Sequence, residues 1–390
     1  MATEPKILLD ITRSLRRLRH SRPSGIDRVE RAYIEWTLDK DACFFAMLGS
    51  TPFLLDHSGA DALLRLLDGG EHPLDARAFL RPDRNRRVRM GEALVRKAAI
   101  GQGLHAVKES SDRVYLNTGH VNLSREVFAL MKESHRVVMI HDLIPLEFPQ
   151  YARRNGPAQM LERLQVACAA DHIVTNSTET AKRVQTEAEA RQFSLPPVAA
   201  IPLGVSCQTV PAAAHRETHF VCLGTIEPRK NHALLLDIWK PDWPKLYIVG
   251  RRGWENREVF RRLDRSLPNI IELNDVSDHE IVGLIGNARA LLFPSFVEGY
   301  GLPLAEALAL GTPVIASDLP ALREVGADVP EYLAASDPDG WSGMILSYID
   351  EGPAHTAQLK RLESWSPPTW SGHFAKVDIL LSELVHNRVR

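Results

Sequence analysis

The sequence predicts an α/β chain built as two doubly wound domains, on three observations. Short apolar runs alternate with stretches of helical period along most of its length, the pattern of βαβ units around a mainly parallel sheet. The alternation runs twice, on either side of a Pro- and Ala-containing segment near residue 210. The 390 residues exceed what one core usually supports, and roughly 200 residues per domain is the expected size.

In the first series Lys6–Asp10, Cys43–Leu48, Val114–Leu116, Val137–Ile140, His172–Asn176 and Val198–Pro202 read as strands, with helices expected over 157–170 and 178–190. In the second, strands are expected at His219–Gly224, Leu246–Gly250, Ile270–Leu273, Ala290–Pro294 and Pro313–Ser317. Helical patterns at 231–239, 255–266, 277–287 and 302–310 separate them. Gly204–Thr218 reads as the linker between the series. A Pro-Pro break after Trp365 precedes a last helical pattern from Thr369 to about Val389. Residues 56–112 predict helices and only weak strands.

Composition fits a folded chain: 44% of residues are apolar and 25% charged, unlike a disordered one. No apolar run approaches the roughly 20 residues of a membrane span. Met1–Asp10 offers only a short apolar patch ahead of arginine-rich sequence, so no secretory leader is expected. Cys43, Cys168, Cys207 and Cys222 form no CxxC and read as buried, reduced thiols of a cytosolic protein. Net charge is −2, yet residues 1–200 carry 29 Lys and Arg against 25 Asp and Glu, and the remainder 18 against 24. The excess lies in Arg13, Arg16, Arg17, Arg19 and Arg22 and in Arg81, Arg84, Arg86, Arg87 and Arg89. Such runs read either as solvated surface or as a face for a lipid headgroup or diphosphate. No nucleic acid partner is expected, because no aromatic residues interleave the runs and no binding motif accompanies them.

The segment Phe293–Asp318 carries the strongest chemical signal. A strand end at Pro294 leads to a loop with Gly299 and Gly301, then to a helix starting near Leu302 with Pro303 in its first turn. Free N–H groups at such a start, beside two small residues, make an anion site. Glu298 precedes the loop and Glu306 follows eight positions later. Carboxylates do not attract bare phosphate, so the pair reads as hydroxyl acceptors flanking an anion, which describes a nucleotide sugar. Glutamates that merely oppose the helix dipole are the alternative.

Leu223–His232 follows the first strand of the second series, at the edge where open α/β sheets bind ligands. Arg229 and Lys230 there offer a guanidinium fork and a point charge suited to a diphosphate, or form a plain surface pair. Val138–Pro145 delivers His141 and Asp142 at a strand end, His141 as hydrogen-bond donor, general base or structural histidine. In Arg22–Arg31, Ser24 is expected to cap a helix beginning near Ile26. Gly25 there either permits close approach to a ligand or starts an ordinary helix. Asp39-x-Asp41 and Asp337-x-Asp339 read as structural, so no metal site is expected.

Glu298-x7-Glu306 around Gly-Tyr-Gly-Leu-Pro, the block Gly224–Asn231, the block His141–Pro145 and Ala170–Ser177 together resemble glycosyltransferase family 4. The likeness is to bacterial mannosyltransferase-like members that build surface polysaccharides. It covers 135–326, with 1–40 more loosely, and is specific only in the combination of its motifs. It implies the GT-B fold: Rossmann-like domains over 1–205 (acceptor) and 206–370 (donor) facing across a cleft, and a C-terminal helix, 371–390, crossing back. It implies retaining transfer of a mannosyl or deoxyhexosyl unit from a nucleotide-diphosphate sugar, GDP-mannose or a GDP-deoxyhexose, without cofactor or required metal. The acceptor would be a glycan or polyisoprenyl-diphosphate-linked glycan of lipopolysaccharide, capsule or exopolysaccharide. The chain would be cytoplasmic, with peripheral contact to the anionic inner membrane.

Residue by residue, the resemblance would put Arg229 and Lys230 on the donor diphosphate and Glu306 on the ribose hydroxyls. Glu298 would lie by the transferred sugar, with the backbone of Gly299, Tyr300, Gly301 and Leu302 near its hydroxyls and phosphate. Gly224 and Thr225 would line the donor site. His141 would sit near the reacting carbon, and Gly25 near the diphosphate or acceptor. Ser24 stands where the family often has a second glycine, and 50–112 match nothing that carries over. The expected mechanism is front-face displacement in which the leaving phosphate takes the acceptor's proton; Glu298 as covalent nucleophile is the alternative. A nicotinamide oxidoreductase would want G-x-G-x-x-G after an early strand, which is absent. A pyridoxal-phosphate phosphorylase would need a Schiff-base lysine and a longer chain. A non-catalytic nucleotide-sugar-binding subunit of a polysaccharide assembly complex is the remaining alternative.

Overall fold

In a computed structural model, residues 5–20, 23–75, 85–109, 113–206, 218–265 and 267–387 are described. The first sheet holds β1 (Ile7–Asp10), β2 (Ala42–Leu48), β3 (Thr51–Leu55), β4 (Ala99–Gln102), β5 (Val114–Asn117), β6 (His135–Ile140), β7 (His172–Thr175) and β8 (Val198–Ala200). Its order is β4-β3-β2-β1-β5-β6-β7-β8. The pairings from β2 through β1 to β8 are parallel, while β3 runs antiparallel to both β2 and β4. The second sheet holds β9 (Phe220–Leu223), β10 (Leu246–Val249), β11 (Ile270–Leu273), β12 (Ala290–Phe293), β13 (Val314–Ser317) and β14 (Glu331–Leu333). It is parallel throughout, in the order β11-β10-β9-β12-β13-β14.

The central strands are buried along their whole length and mainly apolar, as strands covered by helices on both faces must be. What sets their function is the residue at the carboxyl end. Asp10 and Asn117 close β1 and β5, and His141 follows β6. In each sheet the order reverses once, between β1 and β5 in the first and between β9 and β12 in the second. Those two reversals are where the carboxyl ends leave a crevice for a ligand.

The antiparallel β3 and β4 and the short β14 depart from the expected elements. Pro52 hides β3, since proline argues against a central strand. Here it pairs with Met47 on one side and lies beyond the stretch, Phe53–Leu55, that β4 covers on the other. Within 56–112 the expected helices are His57–Leu67, Arg86–Ala98 and Gly103–Glu109. Most of the expected linker, 207–217, lies outside the described residues. So do Cys207, Arg22, Arg81 and Arg84. Cys222 is buried, whereas Cys43 and Cys168 are only half-buried, short of the full burial expected of them.

The two halves join along several seams. Val205 N–H donates to Pro368 O, so the chain's outward and return crossings run side by side. The helix Trp370–Asn387 returns to the first half: His373 Nε2 accepts from Tyr33 O–H at 2.8 Å, and Phe374 stacks on Trp36 at 4.8 Å. Beside them the Lys40 ammonium pairs with Asp378. The Glu324 carboxylate accepts from Thr178 N–H, at the start of the helix Thr178–Ala190. Among the described residues no helix is long and apolar enough to cross a membrane.

Candidate active site

The second sheet's reversal gathers a buried ionic cluster. After β9 the chain turns through Gly224, whose φ of +146° suits glycine, and Thr225 follows it half-exposed. A Cβ on Gly224 would stand 3.3 Å from Lys230 Cε, so the missing side chain is what lets Lys230 lie in the turn. Lys230 is buried, 4.5 Å over the Phe293 ring, and its Nζ reaches Glu298 Oε1 at 2.6 Å. Arg229 donates to Glu298 Oε2 at 2.9 Å, to Val297 O at 3.2 Å and to Glu227 at 2.5 Å. Two carboxylates thus hold two cations in a fixed arrangement. Burial pushes Glu298 up, but Arg229 and Lys230 outweigh it and hold its pKa at about 2. Burial lowers Lys230, opposed by the ion pair with Glu298.

Beside this cluster the helix Leu302–Ala309 begins on Gly301, at φ +107°. A Cβ there would come within 2.4 Å of Leu322 Cδ2, so both conformation and space demand glycine. Leu304 and Ala305 N–H return to Gly301 O, whereas Leu302 N–H has no partner among the described residues. Gly25 lies opposite, its notional Cβ 3.3 Å from Leu302 Cδ1, which brings the start of the helix Gly25–Thr37 against the start of this one.

The first sheet's edge closes onto the same place. A Cβ on Gly299 would meet His141 O at 2.4 Å and Asp142 Cβ at 2.9 Å. Gly299 O accepts from Ser177 Oγ at 2.9 Å and Thr180 Oγ1 at 3.1 Å. His141 is buried, and its Nε2 donates to Thr118 O at 2.7 Å. Burial, despite that bond, lowers its pKa to about 4, so the ring is neutral near pH 7 with Nδ1 unprotonated. Behind it, buried Asp10 accepts from Thr12 N–H at 3.0 Å, Tyr115 O–H at 2.7 Å and Asn122 Nδ2 at 3.1 Å. Buried Glu30 accepts from Ser14 N–H at 2.7 Å and Ser14 O–H at 2.6 Å.

Arg229, Lys230, Glu298, Gly299, Gly301, Leu302, Gly224, Thr225, His141 and Gly25 therefore converge on one interdomain edge. The structure adds partners that the sequence did not announce. Arg229 and Lys230 are not free: their charge is already balanced by Glu298 and Glu227. Glu306 accepts from Arg28 of the opposite half, an ion pair across the cleft. Burial raises Glu306, and Arg28 opposes it. The Tyr300 side chain turns into the seam, donating to Leu203 O at 2.7 Å, so only its backbone belongs to the loop. Of the acidic pairs, Asp41 binds Arg113 at 2.7 Å and Asp337 caps its helix by accepting from Gly340 N–H at 2.9 Å. Among the described residues no three His, Cys, Asp or Glu side chains converge as a metal-ligand set.

Asp10, Arg28, Glu30, His120 and Glu227 were not singled out from the sequence. Glu227 alone had a local signal, lying two residues from Arg229. Of the arginine runs, Arg13 and Arg17 close on Asp27 at 2.6 and 2.7 Å and Arg86 on Glu71 at 2.8 Å, so these three are internally paired.

Residues 209–356 match the family model for glycosyl transferases group 1. The serotype-specific mannosyltransferase WbdA of Escherichia coli is 29% identical over 245 residues, covering 54% of this chain and 29% of WbdA. The O-antigen chain mannosyltransferase RfbU of Salmonella typhimurium is 25% identical over 215 residues, covering 54% of this chain and 60% of RfbU. The chain thus spans less than two thirds of these relatives' length. Among solved structures, Anabaena HepE in complex with UDP-glucose superposes with a TM-score of 0.60 at 15% identity, over 98% of this chain and 99% of HepE. TarM superposes with a TM-score of 0.54 at 15% identity, over 74% of this chain and 60% of TarM. The fold is GT-B: two Rossmann-like α/β domains.

Proposed function

Given a glycosyl transferases group 1 domain over residues 209–356, we propose that the chain is a retaining glycosyltransferase of surface-polysaccharide synthesis. In this reading it moves a mannosyl or deoxyhexosyl unit from a nucleotide-diphosphate sugar to a glycan or lipid-linked glycan. The observation that carries it is the Arg229–Lys230–Glu298 cluster at the reversal of the second sheet, beside a helix-start N–H with no partner among the described residues and against His141. Sugar transfer needs charge stabilised on a departing diphosphate, and preorganised cations and amides aimed at that position supply it.

The chemistry follows from what each group has left to give. The donor's C1–O bond to phosphate breaks, and a bond from the acceptor oxygen to C1 forms on the same face. The acceptor's proton passes to the phosphate oxygen that leaves. Arg229, Lys230 and Leu302 N–H face the growing negative charge, carrying the load that a divalent ion would otherwise take. Neutral His141, with Nδ1 free of a proton, accepts a hydrogen bond from a sugar hydroxyl beside C1. Both Glu298 oxygens are engaged by cations, which argues for a positioning role and against a covalent nucleophile. Peripheral contact with anionic lipid belongs to this reading, and binding of the full chain to anionic vesicles tests it.

The mannosyl assignment draws on the names of WbdA and RfbU; UDP-glucose in HepE makes a UDP donor the second reading. A thermal-shift screen against GDP, UDP, ADP and dTDP sugars, followed by donor-hydrolysis assays, separates them. Stabilisation by GDP-mannose with slow hydrolysis is expected. A chain stabilised by nucleotide sugars that never turns them over would be a binding subunit instead. Arg229→Ala with undiminished donor affinity would remove the diphosphate assignment.

A further inference from the structure

The first sheet has its own reversal, between β1 and β5, and a groove of about 180 Å³ opens there. By the volume that liquid water occupies, it has room for roughly six waters. Arg16 enters it from the helix after β1, the segment 120–124 from the loop after β5, and Gln159 and Arg163 from the helix Gly156–Ala167. Three features mark it as built for a ligand. It lies outside the carboxyl ends at a point where strand order reverses. His120 and Asn122 hold φ of +59° and +63°, backbone states that non-glycine residues adopt at a cost and that concentrate at functional sites. Asn122 is pinned there by Asp10 and Thr12 Oγ1, and His120 Nε2 accepts from His141 N–H at 3.3 Å. The groove therefore adjoins the reacting edge, the rings of His120 and His141 standing 5.0 Å apart.

Its charge is unbalanced. Neither Arg16 nor half-buried Arg163 has a side-chain ion pair among the described residues, and exposed Glu162 is the one acid in the lining. Burial and nearby Arg13 lower Arg163, and Asp142 and Glu162 offset only part of this. We propose that this groove takes an acidic group of the acceptor, a carboxylate or a phosphate, gripped by Arg16 and Arg163 next to His120. The acceptor is then anionic close to the hydroxyl that reacts. This deepens the transferase reading and rests on it.

Titration calorimetry on the full chain tests the groove, with and without saturating GDP or UDP to fill the donor site. Two pairs of probes distinguish the sources of acid: methyl glucuronide against methyl glucoside, and geranyl diphosphate against geraniol. One acidic probe is expected to bind about tenfold tighter than its neutral partner, as a charge-assisted contact gives. The double variant Arg16→Gln/Arg163→Gln is expected to lose that preference, and Arg163→Lys to keep most of it. Equal binding of acidic and neutral probes, or a preference that survives in the double variant, overturns the proposal. Nucleotide binding in the same titrations reports on the transferase reading separately: its absence with the groove's preference intact would sink that reading and leave the anion site standing.

Discussion

The two sheet edges that meet at the site each bury a glutamate, and the environments drive them apart. Glu298, after β12, is pushed up by burial but held at about 2 by Arg229 and Lys230. Glu30, on the helix Gly25–Thr37, is equally enclosed, and burial raises it to about 8, its bonds from Ser14 offsetting only part. One is a carboxylate near pH 7 and the other largely a carboxylic acid. What separates them is whether opposite charge was buried alongside. The second sheet's edge is built to keep charge in place without water. Around Glu30 the first sheet's edge sets hydrogen-bonding groups instead, and His141 nearby is neutral as well.

The sharpest way to break this contrast is Lys230→Ala. It removes a buried cation while Arg229 still covers Glu298. Turnover is expected to fall by about 10²–10³-fold, or ~3–4 kcal/mol, the usual cost of losing one preorganised charge-stabilising group. Lys230→Arg is expected to recover little, since the slot between Gly224 and the Phe293 ring fits an ammonium on a slim stem. The check is kcat for donor hydrolysis and for transfer. An unchanged kcat would mean that the leaving group is stabilised elsewhere.

The same contrast fixes the pH dependence of stability. Glu298 has a folded pKa below its ordinary 4.5, so its contribution is present above 4.5 and lost as pH falls towards about 2. Glu30 has a folded pKa above 4.5, so its contribution is complete below 4.5 and lost as pH rises through about 8. Glu30→Gln keeps an oxygen for Ser14 and cannot ionise. Denaturant unfolding at pH 6 and pH 9 is expected to show the wild type losing on the order of 2 kcal/mol more than the variant between the two. A variant with the wild-type slope would show that Glu30 is ionised throughout.

How much was legible in the sequence follows the same division. At the second sheet's edge the chemistry is written in two short strings, Leu223–His232 and Phe293–Glu306, each beginning at a strand end, so the cation–carboxylate cluster and the glycine turns have local signatures. The fold was legible for a related reason: βαβ alternation is a local pattern repeated many times. At the first sheet's edge the partners are far apart in the chain. Asp10 meets Tyr115 and Asn122, and Ser14 meets Glu30, with nothing in either segment to announce the other. His120 and Asn122 sit in a backbone conformation that no residue type there demands. Burial and long-range pairing set those states, and neither is encoded in spacing.

The smallest predicted effect concerns an ion pair that bridges the two edges. Arg28 and Glu306 are 278 residues apart and come from opposite halves, with Asp278 a further 3.9 Å from the guanidinium. If Glu306 receives ribose hydroxyls, Arg28 competes with the donor for the same oxygens, and binding must first release it. The pair is part-exposed, so its release costs little, within about 1 kcal/mol. Arg28→Ala is therefore expected to tighten nucleotide binding by up to about fivefold with kcat nearly unchanged, read as Kd by calorimetry and as KM for the donor. Weaker binding in the variant would mean that Arg28 moves onto the nucleotide itself, and that the first domain contributes a charge of its own to the grip.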